Sequence, residues 1–227
     1  MVMVCTTRRK AVLGMLLAAF ILFAPKMPAW GTPGIPQFQT VAGYQGPAQA
    51  EVQELTKFVT PIMNDYAIAA LDFASILVDQ NPDMFIQQYE PILPTLDADP
   101  TTSPTLKNKI RAALNKAKTN KQLGKTVDDK VVMQRLKTAM PQFIAQTKLY
   151  NEKLYTGMRP RLFKIADKDP DYALKMCDMM QHNQMLMNRS GNISGNSAGL
   201  GDTERRLINL PNEVRQYANK VKAKRGH

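Results

Sequence analysis

Histidine, tryptophan and cysteine are nearly missing from this 227-residue chain: two, one and two copies respectively. Each scarcity removes a class of chemistry. His227 is the last residue, so His182 is the one internal imidazole, and neither a classical zinc site nor a Ser/His triad with an orienting partner can be drawn around it. Cys5 lies ahead of a basic cluster, and no small-residue box ends in a cysteine, which argues against a lipoprotein. Cys177 is then alone in the processed chain, so no internal disulfide is available and stability must come from packing. It reads as a small buried hydrophobe, with an intermolecular disulfide as the alternative. Period-two alternation and hairpin turn dipeptides are also lacking, which excludes a β architecture.

What is present begins at the N-terminus. Arg8, Arg9 and Lys10 precede the uncharged, mostly apolar run Ala11–Ala24, followed by a polar stretch with prolines. That order is the one found in bacterial-style secretory signal peptides. The run is shorter than the roughly 20 residues needed to span a bilayer, and no second run of the same kind is expected downstream. Cleavage is expected after Ala29 or Gly31, by the Sec rather than the twin-arginine route. The expected location is the periplasm or the medium of a bacterium.

Charge is segregated along the chain. From Trp30 to Leu106 one base, Lys57, faces nine acids, a net of −8. From Lys107 to Lys168 sixteen bases face four acids, a net of +12. The overall charge of +11 conceals this division.

Helix punctuation follows the lead-in "GTPGIPQFQTVAGYQGP". Thr60-Pro61, Asn81-Pro82, Ser103-Pro104 and Asp169-Pro170 each pair a capping side chain with proline at the first helical position, so each predicts a helix start. Val52, Leu55, Val59, Ile62, Tyr66, Phe73 and Leu77 form one helical stripe, kinked at Pro61. A short helix is expected in "DMFIQQYE", ended by Pro91 and Pro94, and another after Ser103. Thr126 and Asp129 resemble a capping box for the longest basic helix, with Pro141 as a kink and Gly157 as its stop. Asn212 is expected to cap the last helix. The predicted fold is all-α, a bundle of five or six helices, some proline-kinked. Its parts are a signal peptide (1–29), an extended lead-in (30–47), the bundle (48–188), a flexible Gly/Ser/Asn loop (189–202), and a C-terminal helix with basic tail (203–227).

Five methionines cluster in "KMCDMMQHNQMLM". At 100° per residue, Met176, Met179, Met180, Leu186 and Met187 share an arc of about 120°, an ordinary packing or docking stripe. The alternative is a Cu(I) site from Met179, His182 and Met185, spaced i, i+3, i+6. No cofactor is otherwise implied. The Gly-rich loop lacks the Lys-Ser or Lys-Thr pair and preceding strand of a P-loop.

In "TLKNKIRAALNKAKTNKQLGK", Lys107, Arg111, Lys116, Lys118 and Lys121 are candidates for contacting a partner or an anionic surface, including a membrane. The structural reading of the same residues is a solvated face on a bundle helix. Export disfavours nucleic acid as partner. The sequence therefore points to an exported, non-catalytic helical protein that binds envelope proteins or self-assembles, such as an accessory subunit of a secretion or conjugation apparatus. A periplasmic chaperone or holdase is the main alternative, and a Met/His copper-binding protein the second.

Overall fold

The computed structural model describes residues 44–124, 127–191 and 202–226, with 182–191 described by their backbone alone. The expected signal peptide (1–29), residues 30–43 of the lead-in, Thr126 and residues 192–201 of the expected loop lie outside these. Seven α-helices and one 3-10 turn make up the described chain, with no strand among the described residues. They are α1 (Gln49–Ala74), the 3-10 turn (Ser75–Asp79), α2 (Pro82–Tyr89), α3 (Leu93–Ala98), α4 (Pro104–Gln122), α5 (Asp129–Lys168), α6 (Pro170–Gly191) and α7 (Asp202–Arg225).

Three of the four proline marks start helices. Asn81 accepts from the Met84 N–H, Ser103 from Leu106 and Asp169 from Tyr172, each occupying an amide that the first turn leaves open. Thr60-Pro61 does not, because Pro61 lies inside α1. The apolar positions on both sides of it bury against the same long helix, and that packing outweighs a proline's cost of about 3 kcal/mol. Similarly, Asn212 is interior to α7, which starts at Asp202 and runs through Pro211. The cap of α5 is Asp128, which accepts from the Lys130 N–H. Pro94 becomes an early residue of α3, so the count is seven rather than five or six. At the far end of the predicted 48–188 segment, the α6 backbone stays helical to Gly191.

Gly157 does not end α5. The helix continues through Pro160 to Lys168, and at Gly157 it packs against α1: a Cβ there would overlap the Phe58 ring. The glycine leaves room for a neighbour rather than supplying a left-handed turn.

α1 and α5 run antiparallel along their length, with Glu51 against Lys168 at one end and the stacked rings of Phe73 and Phe143, 4.7 Å apart, towards the other. Two hydrophobic cores lie along this pair. The first gathers Val78, Phe85, Leu96, Leu106, Ile110 and Leu136 from the 3-10 turn, α2 to α4 and the start of α5. The second joins Leu55, Val59, Leu162, Ile165, Leu210 and Val214, so α6 and α7 complete a four-helix arrangement with α1 and α5. The segment Gln49–Asp79 has a stretch long and apolar enough to cross a membrane, with mean hydropathy 1.3, contrary to the expectation of none; 33% of it is buried in the bundle. Five carboxylates, Glu51, Glu54, Asp65, Asp72 and Asp79, lie in the segment.

Candidate functional site

α4 lies against the acidic segment. Lys109 reaches Asp72 at 2.5 Å, Arg111 reaches Asp97 at 2.6 Å, Lys116 reaches Asp79 at 2.6 Å, Lys118 reaches Glu90 at 2.5 Å and Lys121 reaches Asp83 at 2.6 Å. Lys107 donates to the carbonyls of Asp97 and Asp99, both at 2.9 Å, at the end of α3. Each of the five α4 cations singled out in the sequence therefore meets an oxygen of its own chain. The stripe between them, Leu106, Ile110, Ala113, Leu114 and Ala117, is buried in the first core. Further along, Arg161 and Lys168 of α5 pair with Glu54 and Glu51.

Asp79 is the hub of this network. Its carboxylate takes Lys116 at 2.6 Å, Arg135 at 2.9 Å and the Asn120 amide at 3.1 Å, which ties the 3-10 turn to α4 and α5. Burial alone would raise its pKa, but hydrogen bonds and charge from Lys116, with Asn120 and Arg135, hold it below the ordinary carboxylate value. Sequence periodicity gave no sign of this role, because its partners come from two other helices, Lys116 and Asn120 from α4 and Arg135 from α5.

Not all cations are used in this way. On α5, Lys130, Lys137 and Lys148 are exposed and make no ion pair with any described residue. A helical projection of residues 130–149 locates them from sequence alone, but their freedom depends on where the acids fold.

An open groove of about 290 Å³ runs between α1 and α5. Asp65, Asp72 and Tyr150 give it polar groups, and Phe73, Phe143 and Ile68 give it apolar wall. The Tyr150 hydroxyl is pushed above its ordinary pKa by burial and by the Asp65 carboxylate. The groove thus sets the Asp65 carboxyl beside a phenol and an apolar wall, with Asp72 already engaged by Lys109.

In the methionine stripe, Met176 is buried in the second core, and Met179 and Met180 pack partly buried against it. The side chains of His182, Met185, Leu186 and Met187 lie outside the described residues. Cys177 is buried beside Met176, and burial pushes its thiol up to about 11. Tyr172 stacks on Tyr44 with ring centroids 3.8 Å apart, and Tyr44 donates to Asp169 at 2.5 Å, fastening the end of the lead-in to the start of α6. Among the described residues, no three His, Cys, Asp or Glu side chains form a group able to hold a metal ion. No protein-family model, curated protein or solved structure matches this chain.

Proposed function

We propose that this chain is an exported, non-catalytic helical protein that binds envelope components, as an accessory subunit of a secretion or conjugation apparatus would. Export is supported by the order of the N-terminal sequence, a basic cluster and then the apolar run Ala11–Ala24. The observation that carries the binding role is the unequal use of charge. The cations of α4 are engaged by acids and carbonyls of the same chain, whereas Lys130, Lys137 and Lys148 of α5 face outward without an anion among the described residues. Other exposed cations, among them Lys57, Lys153, Lys175, Arg205, Arg206 and Lys220, also lack a described anion, but these three share one face of α5 with exposed apolar side chains, which gives that face a direction for docking.

The test is fractionation of a bacterial host producing the full-length chain, with intact mass measurement and crosslinking in intact envelopes. The expected results are a chain starting at Trp30 or Thr32 in the envelope fraction and crosslinks to envelope components. Unprocessed chain recovered from the cytosol would overturn the export half. A processed chain that forms no crosslinks, yet suppresses aggregation of unfolded clients, would replace the binding half with the holdase reading.

A further inference from the structure

The outward face of α5 over residues 130–149 is continuous with a covered face further along the same helix. Taking Lys137 as zero and 100° per residue, Ile144 falls at about −20°, Lys130 and Lys148 at about 20°, and Val131 and Leu149 at about 120°. Every residue between 130 and 149 in that sector is exposed, and none is acidic. Beyond it the same sector carries Glu152, Tyr155, Arg159 and Phe163, which meet Thr203, Glu213 and Tyr217 of α7. α7 starts at Asp202, so its cover ends where the lysine face begins.

Three of the five large hydrophobic side chains exposed among the described residues, Val131, Ile144 and Leu149, lie in this sector. They alternate with the three unpaired lysines over about 28 Å of helix, at 1.5 Å per residue. Between residues 130 and 149 the sector has no arginine, tryptophan or tyrosine, the residues that anchor protein interfaces and stack on nucleobases. Lysines with aliphatic neighbours suit a fluid anionic surface instead. The charges meet headgroup phosphates without fixed geometry, the lysine stems lie along the apolar boundary, and the branched side chains enter it to a shallow depth.

We infer that this face of α5 docks the protein on a bilayer containing anionic phospholipid. The inference rests on the envelope-binding reading above and names the component bound.

Flotation of the full chain, purified from the envelope fraction, with vesicles of phosphatidylglycerol in phosphatidylethanolamine tests it, with phosphatidylcholine vesicles as the neutral comparison. The wild type is expected to float with the anionic vesicles only. A lysine near an anionic leaflet strengthens partitioning roughly fivefold, so K130Q/K137Q/K148Q should weaken it by about a hundredfold. Circular dichroism at 0.1 M salt should show the variant folded and melting no lower than the wild type, because these side chains make no ion pair with any described residue. I144S/L149S should weaken binding again without changing its salt dependence. Equal binding of wild type and the triple variant would overturn the inference, as would equal binding to neutral vesicles. If the wild type fails to float but still crosslinks to envelope proteins in cells, the bilayer is the wrong occupant and the envelope reading survives. If it neither floats nor crosslinks, both fall.

Discussion

At Gly157 the missing side chain leaves the space that the tip of the Phe58 ring of α1 occupies. The Arg161 guanidinium, one turn further along α5, lies 4.2 Å from the centroid of the same ring. In an exposed helix interior, replacing glycine by alanine would stabilise by about 1 kcal/mol. Here Gly157→Ala is expected to destabilise by about 1–3 kcal/mol, the usual range for overpacking. In a Phe58→Ala background the same substitution should turn neutral or stabilising, and urea denaturation of the four proteins measures that reversal. If Gly157→Ala stabilises in both backgrounds, the close approach is not what the glycine provides. Asp79 allows a second prediction at this scale. A carboxylate held below its ordinary pKa contributes stability that is present above the unfolded value, 3.8, and is lost as pH falls through the folded one. Asp79→Asn removes the anion from Lys116 and Arg135, with an expected loss of about 1–3 kcal/mol near neutrality. The gap between variant and wild type should close as acid titrates the wild-type carboxylate. A constant gap from pH 7 down through the acid limb would assign the loss to packing instead.

Among the elements, α1 and α5 alone belong to both cores, while α2 to α4 serve the first and α6 and α7 the second. Damage to one core should therefore stay largely on its side. Phe85, fully buried on α2 and stacked on Tyr89 with centroids 4.3 Å apart, is the probe. Phe85→Ala is expected to cost about 3–5 kcal/mol. In hydrogen exchange, amides of residues 82–122 should lose protection while those of 158–176 and 207–221 keep most of theirs. Equal loss across both groups would make the protein one cooperative unit. The same division explains what was legible in the sequence. Helical spacing and proline caps located α2, α4 and α6, because those signals are local. Pro61, Gly157 and Asn212 read as boundaries from local signals, whereas α1, α5 and α7 stay continuous through burial against distant partners, 99 residues apart in sequence for Phe58 and Gly157. The α4 cations were recognised as a basic face, but sequence spacing carries no information on which acid folds opposite each one. α3 was missed because proline more often marks an end than an early turn.

On the whole molecule, the +11 net charge and the contact ion pairs respond to salt over different ranges. The pairs joining α4 and α5 to the acidic segment are between 2.5 and 3.9 Å long, whereas the excess cations on α5 and the C-terminal tail act across the molecule. The Debye length falls from about 30 Å at 0.01 M to about 10 Å at 0.1 M and about 3 Å at 1 M. Raising salt over the first interval should screen mutual repulsion of the excess cations while leaving contact pairs nearly intact, so stability should rise. Over the second interval screening reaches the contact pairs, and stability should then fall. The fall should be modest, since most of these pairs are exposed and each contributes at most about 1 kcal/mol. Urea, being uncharged, allows unfolding midpoints to be measured across that series, and a maximum near 0.1 M is expected. The K130Q/K137Q/K148Q variant should lose part of the initial rise, because its three charges contribute to repulsion and to no pair, and should keep the later fall. A midpoint that rises monotonically to 1 M would show that the pairs between α4 and the acidic segment add nothing measurable. The charge segregation would then have its consequence only at the surface of α5.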